Sequence, residues 1–227
     1  LMSRTCLRPI PTGKVSKDQA LLFGIILTFL SIAILYVVSN LVSSALLLLT
    51  ISFYFFVYTV WLKRRTAQNI VIGGAAGALP PVIGWTISTG ALSVEPLILF
   101  LIIFLWTPSH FWALSLYKSK DYRKAKIPMY PIIYGTNKTK KIIFIYSLLM
   151  APTVVAPFIF NFSGLLYLIP STIFTIYYIQ LCFQLLKTKR NKDMNYKAKK
   201  VFVFSIFYLF SLFLLVLVDN FLGNFYG

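Results

Sequence analysis

Residues 20–62, ALLFGIILTFLSIAILYVVSNLVSSALLLLTISFYFFVYTVWL, hold no charged side chain, and they stand between Lys17-Asp18 and Lys63-Arg64-Arg65. A helical crossing of a ~30 Å hydrocarbon core takes ~20 apolar residues. The stretch is therefore long enough to cross twice, with Ser39-Asn40 as the turn between crossings. The same pattern repeats outward along the chain. All 22 Lys and Arg residues fall at 4–17, 63–65, 118–141 and 187–200, separated by long apolar runs. Each run reads as a helical hairpin, with the other turns at Thr89 to Glu95 and at Asn161 to Gly164. Those far-side segments contain no Lys or Arg, and Glu95 and Asp219 are the only charges there.

The chain thus reads as all-α, a polytopic transmembrane bundle of seven spans: 20–38, 41–61, 69–89, 95–116, 141–160, 164–186 and 199–219. A hydrophobic content of 59% with 17% aromatic residues exceeds what a soluble domain carries, because lipid-facing surface is apolar too. All the positive charge behind the net +17 lies on one face, and the far side carries only Glu95 and Asp219. Basic loops face the cytoplasm by the positive-inside rule, which puts the C-terminus outside. No linker or soluble insertion interrupts the pattern, so residues 1–227 count as one domain. No nucleic-acid partner is expected, since the basic loops face membrane lipid. Cys6 and Cys182 follow no metal or redox spacing.

Several stretches hold more than a membrane span requires. In LMSRTCLRPIPTGKVS (1–16), Arg4, Arg8 and Lys14 alternate with Pro9, Pro11 and Gly13. That makes a stiff, donor-rich loop, either an orientation signal against anionic lipid or a cradle for phosphate oxygens. Lys63-Arg64-Arg65-Thr66 precedes Asn69 and GGAAGALPPVIGW (73–85). Gly73 and Gly77 form a G-x-x-x-G pair that admits a close helix neighbour. Pro80-Pro81 breaks the helical ladder, so a cavity is expected beside it. WTPSHFWAL (106–114) contains the single histidine, His110, among Trp106, Phe111 and Trp112. A histidine in a span is either a packed, hydrogen-bonded residue or part of a site, and imidazole ligates haem iron. In KSKDYRKAKIPMYP (118–131), Asp121 sits among Lys118, Lys120, Arg123, Lys124 and Lys126. It either softens a basic loop or holds Mg²⁺ while its neighbours hold a polyphosphate. The run at 187–200 reads as a solvated, membrane-apposed loop without chemistry.

Together, RTCLRPIPTGKVS, YTVWLKRRTAQNIVIGGAAGALPPVIGW, WTPSHFWAL and DYRKAKIPMYPIIYG resemble the UbiA superfamily of intramembrane prenyltransferases, most closely its haem O synthase family (protohaem IX farnesyltransferases). The blocks cover residues 3–135 in the family's order, and from 140 onward only the hydropathy agrees. The resemblance implies transfer of a farnesyl group from farnesyl diphosphate to a vinyl group of haem B, giving haem O, with Mg²⁺ as cofactor. It implies Asp121 as a metal-binding, catalytic carboxylate, and Arg4, Arg8, Lys63 and Arg64 as grips for diphosphate or haem propionates. His110 would contact haem, and a haem A synthase would consume the product. This sequence departs from the family in three ways. The first acidic motif, expected upstream of Met2 with two further spans, is missing, so a truncated N-terminus is expected. Ala125 stands four residues after Asp121, where the wider superfamily has a second aspartate, a pattern that looks usual for the haem branch. Ser109 replaces a frequent proline. The rival readings are a relative that prenylates an aromatic quinone precursor, a non-catalytic haem-binding membrane protein, and a transporter. The last is disfavoured because no ionisable Asp, Glu, Lys or Arg lies centrally in a span.

Overall fold

The computed structural model describes residues 6–124 and 127–226, and of residues 120, 121, 191, 192 and 224–226 the backbone alone. Among the described residues all regular structure is helical. Helix α1 spans Lys17–Val38. Helix α2, Leu41–Ser52, runs without interruption into a π-helical stretch, Phe53–Leu62. Helices α3, Asn69–Ala78, and α4, Pro80–Thr89, form one span broken at Leu79. They are followed by α5 (Val94–Tyr117), the short α6 (Ser119–Lys124) and α7 (Tyr130–Ile133), and then α8 (Gly135–Ile159), α9 (Leu165–Leu186) and α10 (Asn191–Tyr226). Seven of these segments are long and apolar enough to cross a membrane, as the hairpin reading expects. The protein is a multi-span membrane protein.

The turns form where polar residues interrupt the apolar runs, and each is built by a cap. Ser16 and Gln19 close a reciprocal capping box at the start of α1, with Gln19 N donating to Ser16 Oγ (3.1 Å) and Ser16 N to Gln19 Oε1 (3.0 Å). Asn40 caps α2 by accepting from Ser43 N (2.9 Å), while its amide donates to the Thr86 carbonyl (2.7 Å) and so ties α2 to α4. On the same far side, the Asp219 carboxylate of α10 accepts from the backbone N–H groups of Gly164 and Tyr167, capping α9 from another helix. Pro80 and Pro81 occupy the first turn of α4, where a missing N–H costs nothing, and the helix ends at Gly90 with φ +74°.

Helices α5, α8, α9 and α10 pack in a closed ring. The largest buried side chains lie there: Trp112, Tyr167, Tyr178 and Tyr208. In lipid, apolar surface gains little by leaving the solvent, so close packing and interhelical hydrogen bonds hold such a ring together. Ser109 Oγ bonds Tyr178 OH (2.8 Å), Thr175 Oγ1 bonds Tyr208 OH (2.8 Å), and Tyr167 OH donates to Val154 O (2.8 Å). Each such bond contributes roughly 0.6 kcal/mol on average. Span α3–α4 packs on α5, α2 with its π-helical extension packs on α3 and α4, and α1 packs on α2 with no residue of its own buried.

Two details differ from expectation. The region 187–200 is not a solvated loop throughout. From Asn191 it is the first part of α10, with Ala198 fully buried and Lys197 Nζ donating to Gln184 O (3.3 Å). Long basic side chains keep their heads in water while the helix continues past the hydrocarbon boundary, so charge did not mark the helix end. The glycine pair also divides its work differently. A Cβ on Gly73 would run into the ring of Tyr58, and one on Gly74 would come within 2.9 Å of Thr107 Cγ2, whereas Gly77 faces open space. The close approaches are made by adjacent glycines to two different neighbours.

Candidate active site

The basic loop 6–15 folds back on itself at the foot of α1. Thr12 N and Oγ1 both donate to Arg8 O (3.1 and 3.0 Å), Gly13 N donates to Ile10 O (3.1 Å), and Gly13 takes φ +75° to close the turn. Arg8 and Lys14 line the same cavity as the foot of the second leg of this hairpin. There the chain is π-helical: Lys63 N donates to Tyr58 O (2.8 Å) and Thr59 Oγ1 to Tyr54 O (2.9 Å), both five residues back. Wider turns of this kind recur at functional sites. Here the stretch carries Tyr58, Thr59 and Val60 to the same wall, and the bare Gly73 opposite leaves space for the Tyr58 ring. Lys63 Nζ lies 5.9 Å from the centre of that ring.

These elements enclose a cavity of about 1550 Å³, open to one side. Its polar wall holds Arg8, Lys14, Lys63 and Arg64. Its apolar and aromatic wall includes Phe23, Tyr58, Ile70, Phe111, Tyr122 and Met129, drawn from α1, the π-helical stretch, α3, α5 and the α6–α7 segment. No carboxylate is among the described wall residues. Four cations with no counter-charge among the described wall residues favour a multivalent anion, and Arg matches phosphate oxygens with two donors at once. The aromatic part offers π-faces and an anhydrous lining to an apolar chain.

Asn69, at the first position of α3, is 1% exposed and belongs to this wall. Its Nδ2 donates to Lys63 O (3.2 Å), which fixes the orientation of the amide and leaves Oδ1 without a hydrogen-bond partner. That oxygen is closed off from solvent. No group of three or more His, Cys, Asp or Glu side chains able to hold a metal ion occurs among the described residues.

Of the residues singled out in the sequence, Arg8, Lys63 and Arg64 meet on one wall. Arg4 lies outside the described residues. Asp121 has its backbone in α6, next to Tyr122 on the wall, and its side chain lies outside the description. His110 is buried, one residue from the wall residue Phe111, and points instead toward α10, where its Nδ1 meets Ser205 Oγ at 2.7 Å. The lining of this cavity does not include Pro80 or Pro81. Lys14, singled out in the same loop as Arg8, lines it too, and Tyr58 and Tyr122 add aromatic rings. Neither Tyr58 nor Ser205 had a sequence signal, since one is another aromatic in an aromatic run and the other another serine in an apolar run.

The pattern of the UbiA prenyltransferase family matches residues 1–208. A protoheme IX farnesyltransferase of Pelagibacter ubique (strain HTCC1062) is 61% identical over 222 residues, covering 98% of this chain and 73% of that protein. Proteins of the same name from Parvibaculum lavamentivorans (48% identical, 98% and 70% covered) and Orientia tsutsugamushi (50% identical, 99% and 71% covered) are also similar. A structure from work on digeranylgeranylglyceryl phosphate synthase in membranes superposes with a TM-score of 0.78 at 22% identity, over 96% of this chain and 75% of that one, which speaks to the fold. A helical membrane bundle, a cation-lined cavity at the foot of its hairpins and this family match agree: the chain belongs to the UbiA prenyltransferase family.

Proposed function

We propose that this chain transfers the farnesyl group of farnesyl diphosphate to a vinyl group of haem B, giving haem O. The observation that carries the proposal is the pairing of four cations with an aromatic, apolar lining in one cavity, the two halves of a prenyl diphosphate. The relatives named protoheme IX farnesyltransferase supply the acceptor. Arg8, Lys14, Lys63 and Arg64 grip the diphosphate. As the bond between C1 and oxygen breaks, the leaving oxygen takes the electron pair, and cations already in place stabilise the charge that develops. Tyr58, Phe111 and Tyr122 border the path of the allylic cation with their rings. The vinyl π pair attacks C1. Water then adds to the carbon left electron-poor and loses a proton, which gives the hydroxyethylfarnesyl substituent. The dry wall keeps water from the cation until the new bond has formed.

By the family resemblance Asp121 holds a divalent cation, Mg²⁺ by its preference for oxygen sites shared with phosphate. Bound there, it would supply further charge neutralisation to the diphosphate. Arg4 joins the diphosphate or propionate grip, and His110 contacts the haem. Residues 1–227 act as one domain, with basic loops in the cytoplasm and the C-terminus outside. The product suits a haem A synthase as its consumer.

The test is a membrane assay with haem B, farnesyl diphosphate and Mg²⁺, followed by mass spectrometry of the haem. Haem O is the expected product. Farnesylation of an aromatic quinone precursor in place of haem would overturn the acceptor, and haem binding that is indifferent to farnesyl diphosphate would support a non-catalytic haem protein.

A further inference from the structure

His110 is held on almost every side. Trp106, one turn earlier on α5, stacks on one face of the imidazole with ring centres 4.2 Å apart and planes 20° apart, and Phe202 of α10 covers the other at 4.6 Å and 29°. Phe111 meets the ring edge-on at 5.1 Å. With both faces taken, a porphyrin cannot stack on this histidine. Contact with a ligand is left to a ring edge.

One edge is also taken. Nδ1 lies 2.7 Å from Ser205 Oγ, and that hydroxyl lies 2.6 Å from Phe202 O. A serine hydroxyl has one proton and the carbonyl can only accept. Both contacts are hydrogen bonds at once in a single arrangement: Ser205 donates to Phe202 O, and His110 donates from Nδ1–H to Ser205 Oγ. Trp106 Nε1 donates to Ser205 O at 2.8 Å, so two residues one turn apart on α5 lock onto the same residue of α10. The proton on Nδ1 leaves the lone pair on Nε2. That atom has no hydrogen bond to a described residue, and it is not one of the sealed, unpartnered atoms, which are at Asn69, Ser93, Glu95, Trp112 and Ser163. His110 retains 7% exposure.

We infer that His110 presents Nε2 to the iron of the haem acceptor, and that Ser205 is the positioning residue that sets its tautomer. The inference rests on haem being the acceptor, as proposed above. Histidines that ligate metals usually donate their other ring N–H to an outer partner, which fixes the ring and raises its basicity. Ser205 fills that place, with the stacked Trp106 and Phe202 fixing the ring plane. Ligation at Nε2 anchors the macrocycle at its centre and leaves its vinyl edge free to face the prenyl chain. The wall residue Phe111 lies next along α5.

The test is titration of ferric haem B into the protein in lipid nanodiscs, read by the Soret and visible bands and, after reduction, by the iron–histidine stretch in resonance Raman. Wild type is expected to show imidazole-ligated haem. His110→Ala loses that signature, and added free imidazole restores it, which separates loss of a ligand from loss of the fold. Ser205→Ala keeps haem but raises its Kd about tenfold and lowers the iron–histidine frequency, whereas Ser205→Thr keeps both near wild type. An unchanged spectrum in His110→Ala, or an unchanged Kd and frequency in Ser205→Ala, overturns the inference alone. Wild-type haem bound without an imidazole signature also overturns it alone, while no haem binding by wild type removes the haem reading with it.

Discussion

Gly73→Ala tests how the cavity wall is built. A Cβ at this position would occupy space held by the Tyr58 ring, in conflict with three ring atoms, so one of the two groups must move. Tyr58 sits in the π-helical stretch, whose Lys63 N–H reaches back to Tyr58 O, and its ring forms part of the wall. Displacing it costs the usual overpacking penalty, about 1–3 kcal/mol. Because the displaced ring borders the cavity, KM for farnesyl diphosphate should rise as stability falls. Gly77→Ala, four residues on, meets nothing within 4 Å. There the helix gains about 0.5–1 kcal/mol from alanine's higher propensity, with unchanged kinetics. A double-mutant cycle in nanodiscs decides the matter: Gly73→Ala, Tyr58→Ala and the pair, each with unfolding free energy and kinetics. The double mutant should recover roughly 1–3 kcal/mol relative to additivity. Equal effects of Gly73→Ala and Gly77→Ala, or strict additivity with Tyr58→Ala, would refute the reasoning and return the pair to a plain G-x-x-x-G face.

The remaining predictions follow from single groups. Lys63→Met removes one cation from the wall, and loss of a charge-assisted bond of about 1.5–3 kcal/mol should lower kcat/KM for farnesyl diphosphate roughly 10- to 100-fold without altering haem affinity. Asp121→Asn should cut turnover strongly while haem retention stays near wild type; normal turnover would remove Asp121 from the metal site. Chelation with EDTA should abolish haem O formation in the membrane assay, and Mg²⁺ should restore it. Asp219→Ala removes the carboxylate that caps α9 and should cost about 1 kcal/mol in unfolding measurements with kcat unchanged, since the cap lies on the face away from the cavity.

Much of the fold was legible because the cost of placing charge in hydrocarbon is local to each residue. Clustered Lys and Arg marked one face, uncharged runs marked the crossings, and Ser39-Asn40 and Asn161 to Gly164 became the capped turns expected of them. Part of the site was legible for a related reason. Arg8, Lys63 and Arg64 lie at the two feet of the first hairpin, and a hairpin brings its feet together. The break at Leu79 was readable from Pro80-Pro81, but the fastening of its span was not: Thr86 is tied to Asn40 and Ser43.

By itself, the sequence determined the number of crossings and the clustering of positive charge in the loops between them, because each is a sum over neighbouring residues. Tertiary structure alone decided which side chains meet. The rotation of α3 against the π-helical stretch makes Gly73 a seat for Tyr58 and leaves Gly77 idle. The register of α5 against α10 turns His110 toward Ser205, 95 residues further along the chain. Apolar periodicity in a lipid-embedded helix does not distinguish the face that meets lipid from the face that meets a neighbour, since both are greasy. Rotations and registers of this kind are therefore set by packing between helices distant in sequence.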